Sequence, residues 1–166
     1  LNPGPVTLSA RVRQAMLRED LCHREPEFAV LQSDIREKLL GLYSLEPNDW
    51  AIALMTGSGT AAVEAMITSL VPADGKLLVV ENGVYGERMS RIANRYAIAN
   101  SQLTSAWQAP IDLAALASAL ASDPSITHVG VVHHETTTGR LNDLDTFAAI
   151  CREHNVGILL DAVSSF

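Results

Sequence analysis

Gly57-Ser58-Gly59-Thr60 stands where an apolar run gives way to an amphipathic one, and Asp161 ends the apolar run Val156-Gly157-Ile158-Leu159-Leu160. The first arrangement suits an anion. Glycines let the backbone approach closely, free N–H groups at a helix start point outward, and the helix dipole favours negative charge there. The hydroxyls of Ser58 and Thr60 add donors. It is not a Walker loop, because no Gly-Lys-Thr/Ser follows, nor a dinucleotide fingerprint, because the third glycine is missing. Asp161 suits a cation. Open parallel sheets take ligands at the carboxyl ends of their strands, and a carboxylate there can hold a protonated ring nitrogen. The plainer alternative is an aspartate that caps the next turn. Thr136, after another strand, can donate to a phenolic oxygen. Tyr85, in Asn82-Gly83-Val84-Tyr85-Gly86, can lay its ring on a flat ligand. Jointly these residues outline a pocket for a phosphorylated, nitrogen-containing ring.

Other polar groups read as less specific. His133-His134-Glu135 invites a metal reading, but adjacent strand residues point to opposite faces, so the two histidines do not share one ion and no metal site is expected. Arg24 lies in a charged loop and is a candidate for an anionic substrate group, with a solvated arginine as the alternative. Glu64 and Arg88 read as helix-face charges. The chain has only two lysines, Lys38 inside a helical stretch and Lys76 at the amino end of a strand.

The elements that must position these groups follow from periodicity. Ser9 is expected to cap a helix over 10–20, and a second helix runs from Pro26 to about Leu42 with Phe28, Leu31, Ile35 and Leu39 on one face. Beyond it the pattern alternates. Strands are expected at 51–55, 76–80, weakly at 98–103, then at 127–133 and 156–161. Helices are expected at 60–71, 85–97, 111–121 and 143–154. Strands that are apolar throughout, separated by helices, imply a three-layer α/β sandwich with a mostly parallel sheet.

Composition sets the class. The chain has 166 residues, 48% hydrophobic and 19% charged, so it can bury a core and fold. A net charge of −7 without a basic stripe argues against nucleic acid. The longest apolar runs suit buried strands, so no membrane partner is expected. Cys22 and Cys151 have no metal or redox spacing and read as reduced thiols of a cytoplasmic protein, with a bridge left open. The chain begins at Leu1 and stops at Phe166, five residues past a strand with no crossover helix after it. This reads as the N-terminal part of a longer protein, or else as a truncated, non-catalytic domain that keeps a phosphate site.

Several stretches together resemble the class V aminotransferases. They are Asn2-Pro3-Gly4-Pro5, the Gly-Ser-Gly-Thr turn with Ala62-Val63-Glu64-Ala65-Met66, Asn82 to Arg88, Glu135-Thr136-Thr137-Thr138-Gly139 and Leu160-Asp161-Ala162-Val163-Ser164-Ser165. Val71 to Val79 and His134 to Gly139 match more closely the branch that moves the amino group of 2-aminoethylphosphonate to pyruvate. An alanine–glyoxylate or other class V activity is the alternative. The resemblance implies the large domain of a fold-type I enzyme that uses pyridoxal 5'-phosphate. Ser58, Gly59 and Thr60 would hold the cofactor phosphate, Tyr85 would stack on its ring and Val163 would pack on the other face. Thr136 would lie near the phenolic oxygen, Asp161 would pair with the ring nitrogen, and Pro3 and Gly4 would lie near the substrate. It also implies a homodimer acting on a small amine and a keto acid. Residues 1–45 would form an N-terminal helical segment and 46–166 an incomplete cofactor-binding domain. The Schiff-base lysine, the substrate arginine and a small C-terminal domain would lie beyond Phe166, so residues 1–166 alone are expected to be inactive.

Overall fold

A computed structural model describes residues 7–166. They fall into two compact units, 7–56 and 57–166. Pro3 and Gly4, the expected substrate neighbours, lie outside the described residues.

The first unit holds two helices, α1 (Ala10–Ala15) and α2 (Pro26–Leu42). The side chain of Ser9 accepts from the Val12 N–H and starts α1 as expected, but the helix stops five residues short of Asp20. At its end Met16 and Leu17 are 69% and 75% exposed, so among the described residues little packs there, and a short helix without packing is marginal. In α2, Pro26 occupies the first turn, where its missing N–H costs nothing. The expected strand at 51–55 does not form. An apolar run becomes a strand only when a neighbour supplies a hydrogen-bond ladder. Among the described residues none pairs with this stretch, and all of it but Ile52 is exposed.

The second unit is a layered α/β body. Its elements in chain order are α3 (Gly59–Leu70), β1 (Lys76–Glu81), α4 (Val84–Arg95), β2 (Asn100–Thr104), α5 (Leu113–Ser122), β3 (Ile126–Val132), the two-residue strands β4 (His134–Glu135) and β5 (Arg140–Leu141), α6 (Leu144–Glu153) and β6 (Gly157–Asp161). Four strands form one parallel sheet in the order β2-β1-β3-β6. Alternate residues of β1 feed two cores. Leu77 and Val79 pack with Ile67, Met89 and Ala93 of α3 and α4. Leu78 and Val80 pack with Leu116, Leu120, Phe147 and Cys151 of α5 and α6. Both faces are therefore buried, which is why the central strands read as unbroken apolar runs.

Connectivity explains which helix covers which face. From β1 the chain moves outward through α4 to β2, then back past β1 through α5 to β3 and on through α6 to β6. Right-handed crossovers put helices on opposite faces when the direction reverses. The reversal leaves a crevice at the carboxyl ends of β1 and β3, where such sheets take ligands.

Caps set the helix starts. Asp112 accepts from the Ala115 N–H, and Asp143 from the N–H groups of Asp145 and Thr146. Neither cysteine is in a disulfide; Cys22 is exposed, and burial pushes the Cys151 thiol up to about 11. Lys76 occupies the amino end of β1, where its ammonium pairs with Asp123 at 2.8 Å. That bond, with the hydroxyl and N–H of Ser125, holds the Asp123 carboxyl at about 2. A carboxyl depressed on folding adds stability above its unfolded value of 3.8, and that contribution disappears as pH falls toward 2. Thermal melts of wild type and Asp123→Asn are expected to differ above about pH 4 and to converge toward pH 2. A gap that persists at the acid end would contradict this.

Candidate functional site

One cavity opens at the carboxyl end of the sheet. It is lined by Ser58, Gly59 and Thr60 at the start of α3, Val63 one turn on, Tyr85 and Arg88 of α4, Val132 and His134 around the end of β3, Thr136, and Asp161, Val163 and Ser164 after β6. The structure thus brings all seven expected ring- and phosphate-binding residues together. Arg24 belongs to the other unit and Glu64 carries no part of the lining. Arg88, read from sequence as a surface charge, lies in the cavity instead. Tyr85 and Arg88 are three apart on one helix, which puts them on the same face.

The floor of the cavity is the N-terminus of α3. Ser58 caps it, its hydroxyl oxygen accepting from the Ala61 N–H at 3.3 Å. That leaves the Ser58 proton free to donate elsewhere. The N–H groups of Gly59 and Thr60 come too early in the helix to find a carbonyl. They have no protein partner among the described residues. Gly59 lies close to the Val163 side chain: a Cβ there would meet Cγ2 of Val163 at 2.7 Å, so the valine would have to shift.

Asp161 ends β6 in register with Val132. Its backbone carbonyl accepts from the His133 N–H at 2.9 Å, so the strand end is fixed by the ladder. Its Oδ1 accepts from the Val163 N–H at 3.1 Å, the turn-capping role foreseen as the plainer alternative. That bond uses one oxygen. Oδ2 has no protein partner among the described residues, so one carboxylate can serve both roles.

A buried carboxylate holds two walls together. Glu135 is fully buried. Its Oε2 accepts from the Tyr85 N–H at 3.0 Å, and its Oε1 accepts from the N–H and hydroxyl of Thr137 at 3.3 and 2.5 Å. The N-cap of α4 is Gly83, which has no side chain to cap it, so Glu135, after the neighbouring strand β3, caps the helix instead. This fixes the stretch bearing Thr136 against the helix bearing Tyr85. Behind it, buried Asn82 donates to Asn142 at 2.9 Å, and Asn142 donates to the Val132 carbonyl at 2.8 Å. On the other side Ser164 donates to the His134 carbonyl at 3.0 Å. These supports are not legible in the sequence, because a buried Glu and a loop Glu are spelled alike.

The chemistry of this lining is specific. One end offers free N–H groups and a guanidinium, both suited to a dianion. The middle offers a tyrosine ring and three valines, suited to a flat ring. The far side offers an unpaired carboxylate oxygen, suited to a protonated nitrogen.

Comparison with known proteins places the chain in a family. The chain is 44% identical to a 2-aminoethylphosphonate–pyruvate transaminase of Vibrio vulnificus (strain CMCP6) and 42% identical to one of Pseudomonas putida (strain W619). It is 40% identical to a bifunctional phosphonoacetaldehyde hydrolase/aminoethylphosphonate transaminase of Clostridioides difficile (strain 630). Each match covers 100% of this chain but 45%, 45% and 26% of the relative, so the chain spans about half the length, or less, of these curated relatives. Among solved structures, a pyridoxamine–pyruvate aminotransferase from Mesorhizobium loti superposes with a TM-score of 0.89 at 30% identity, over 100% of this chain and 42% of that one. An alanine–glyoxylate aminotransferase from Nostoc sp. gives 0.87 at 32%, over 99% and 43%. The profile of the family described as aminotransferase class-V matches residues 14–166, nearly the whole sequence, and the chain belongs to that family.

Proposed function

We propose that this chain is part of a transaminase that moves the amino group of 2-aminoethylphosphonate to pyruvate, giving phosphonoacetaldehyde and alanine. Pyridoxal phosphate is the cofactor that membership of this family implies. The observation that carries the reading is the single cavity in which a helix N-terminus, an aromatic ring and an unpaired carboxylate oxygen face one another. The names of the curated relatives at 40–44% identity support the choice of substrate over alanine and glyoxylate.

When bound, pyridoxal phosphate supplies an electron sink that stabilises negative charge at the substrate carbon. The residues of the chain prepare that sink. The N–H groups of Gly59 and Thr60, with the Ser58 and Thr60 hydroxyls, hold the phosphate. Tyr85 and Val163 confine the ring between them. Thr136 donates to the phenolic oxygen. Asp161 keeps a proton on the ring nitrogen by charge, while its own position is set by the Val163 N–H. Buried Val63 and Val132 add apolar surface to the lining.

The reading extends to the whole protein. The covalent lysine and the substrate arginine lie beyond residue 166 in a homodimeric, cytoplasmic enzyme, and residues 1–166 alone do not transaminate. Lys76 does not suit the covalent role, because Asp123 holds it at the amino end of β1, opposite the cavity.

The test is an assay of the whole natural protein with pyridoxal phosphate. Alanine is expected to form from 2-aminoethylphosphonate and pyruvate, and only when both are present. Turnover of alanine with glyoxylate but not of 2-aminoethylphosphonate would favour the rival activity.

A further inference from the structure

We infer that Arg88 is a cofactor-binding residue, whose guanidinium completes the phosphate subsite at the start of α3. The inference rests on the reading that the cavity takes pyridoxal phosphate. Arg88 Nη1 donates to Thr60 Oγ1 at 3.0 Å. Its Cζ lies 4.7 Å from the centroid of the Tyr85 ring, within cation–π range. The side chain is half-buried and lines the cavity.

Three features of this arrangement point to an anion. First, Arg88 is in no ion pair with a carboxylate among the described residues, unlike Lys76, which pairs with Asp123. Second, the guanidinium abuts the positive end of a helix dipole, next to two unused N–H groups. Positive charge placed against positive dipole is unfavourable unless an anion lies between them. Third, the bond to Thr60 sets the direction of a proton. Thr60 Oγ1 accepts from Arg88, so its own O–H is free to donate into the cavity. The remaining guanidinium N–H groups have no protein partner among the described residues, and a guanidinium fork matches phosphate oxygens. The Tyr85 ring holds the fork in place while serving as a wall for the flat part of the ligand. One side chain thereby links the phosphate end of the pocket to its ring end.

The test separates phosphate binding from ring binding. The whole natural protein, stripped of cofactor, is titrated with pyridoxal phosphate and with pyridoxal, which lacks the phosphate, following absorbance and tyrosine fluorescence. Arg88→Gln is expected to weaken pyridoxal phosphate roughly ten- to a hundredfold while leaving pyridoxal within about twofold, because only the phosphate contact to a charged donor is lost. Retained pyridoxal binding also reports that the variant is folded. Arg88→Lys keeps the charge without the fork and is expected to fall between the two. Equal weakening of both ligands in Arg88→Gln and Arg88→Lys would overturn the assignment, since Arg88 would then act only through the Tyr85 ring. Unchanged affinity for pyridoxal phosphate would overturn it too, as would an effect confined to the KM of the amine. If wild type binds neither ligand, the reading of the cavity fails and this inference with it. If wild type binds and Arg88→Gln binds equally, only the inference fails.

Discussion

Gly86→Ala is expected to destabilise the chain by about 1–3 kcal/mol, even though alanine is the better helix former. Two effects oppose each other at this site. In an exposed helix interior, alanine gains about 0.8–1.0 kcal/mol over glycine. Against that, a Cβ on Gly86 would meet the Val80 carbonyl oxygen at 2.5 Å and the Glu81 Cα at 3.1 Å. Both are backbone atoms of a central strand, so neither can swing aside as a side chain would. The clash wins, and α4 must lift from β1. The cost reaches the cavity, because α4 carries Tyr85 and Arg88. Gly41→Ala is the matched control. Gly41 is in α2, and a Cβ there meets nothing within 4 Å. The same substitution should therefore be neutral or stabilising by up to about 1 kcal/mol. Denaturant unfolding of both variants, read at constant m-value, decides the matter. Destabilisation of similar size at both sites would show that close packing of α4 on β1 is not what Gly86 serves.

That contrast also bears on what could be read from the sequence. Gly41 and Gly86 look alike as letters; only the approach of α4 to β1 separates them. The central strands were legible because burial on both faces leaves a run such as Leu77 to Val80 with no polar alternation. The cavity was legible for a related reason. Polar residues after such runs fall at the carboxyl ends of parallel strands, and the chain has few other places to bring them together. The run at 51–55 misled because apolar composition does not say what a strand pairs with. Arg88 misled because a charge on an amphipathic helix is most often solvated, and the depth of the cavity wall is a tertiary fact. Glu135 was hidden for the same reason. Its three donors come from Tyr85 and Thr137, and only the fold brings Tyr85 within reach. The hairpin of β4 and β5 is too short for periodicity to register. It is held by turn bonds, with the N–H groups of Thr138 and Gly139 both donating to the Glu135 carbonyl.

Asp161→Asn in the whole protein is expected to leave the cofactor bound and to slow turnover roughly ten- to a hundredfold or more. The structure makes this substitution unusually clean. The known job of Asp161 is to accept from the Val163 N–H through Oδ1. An asparagine keeps an acceptor oxygen of the same reach, so the turn and the packing of Val163 on Gly59 survive. What is lost is the charge. An amide cannot hold a ring nitrogen protonated by electrostatic attraction, so the electron sink becomes shallower. Losing one charge-assisted contact of about 1.5–3 kcal/mol in the transition state corresponds to that slowing. Ser58→Ala should differ in kind. It removes one phosphate donor among several and the cap of α3, so it should leak cofactor and recover when cofactor is in excess. Asp161→Ala should combine the faults, because the turn is lost along with the charge. The measurement is kcat at saturating pyridoxal phosphate for all three variants, with cofactor content determined alongside. Wild-type kcat in Asp161→Asn would mean that capping the Val163 turn is the whole of this aspartate's role. The free Oδ2 would then be an accident of the strand end, and the ring-nitrogen assignment would have to move to another group in the cavity.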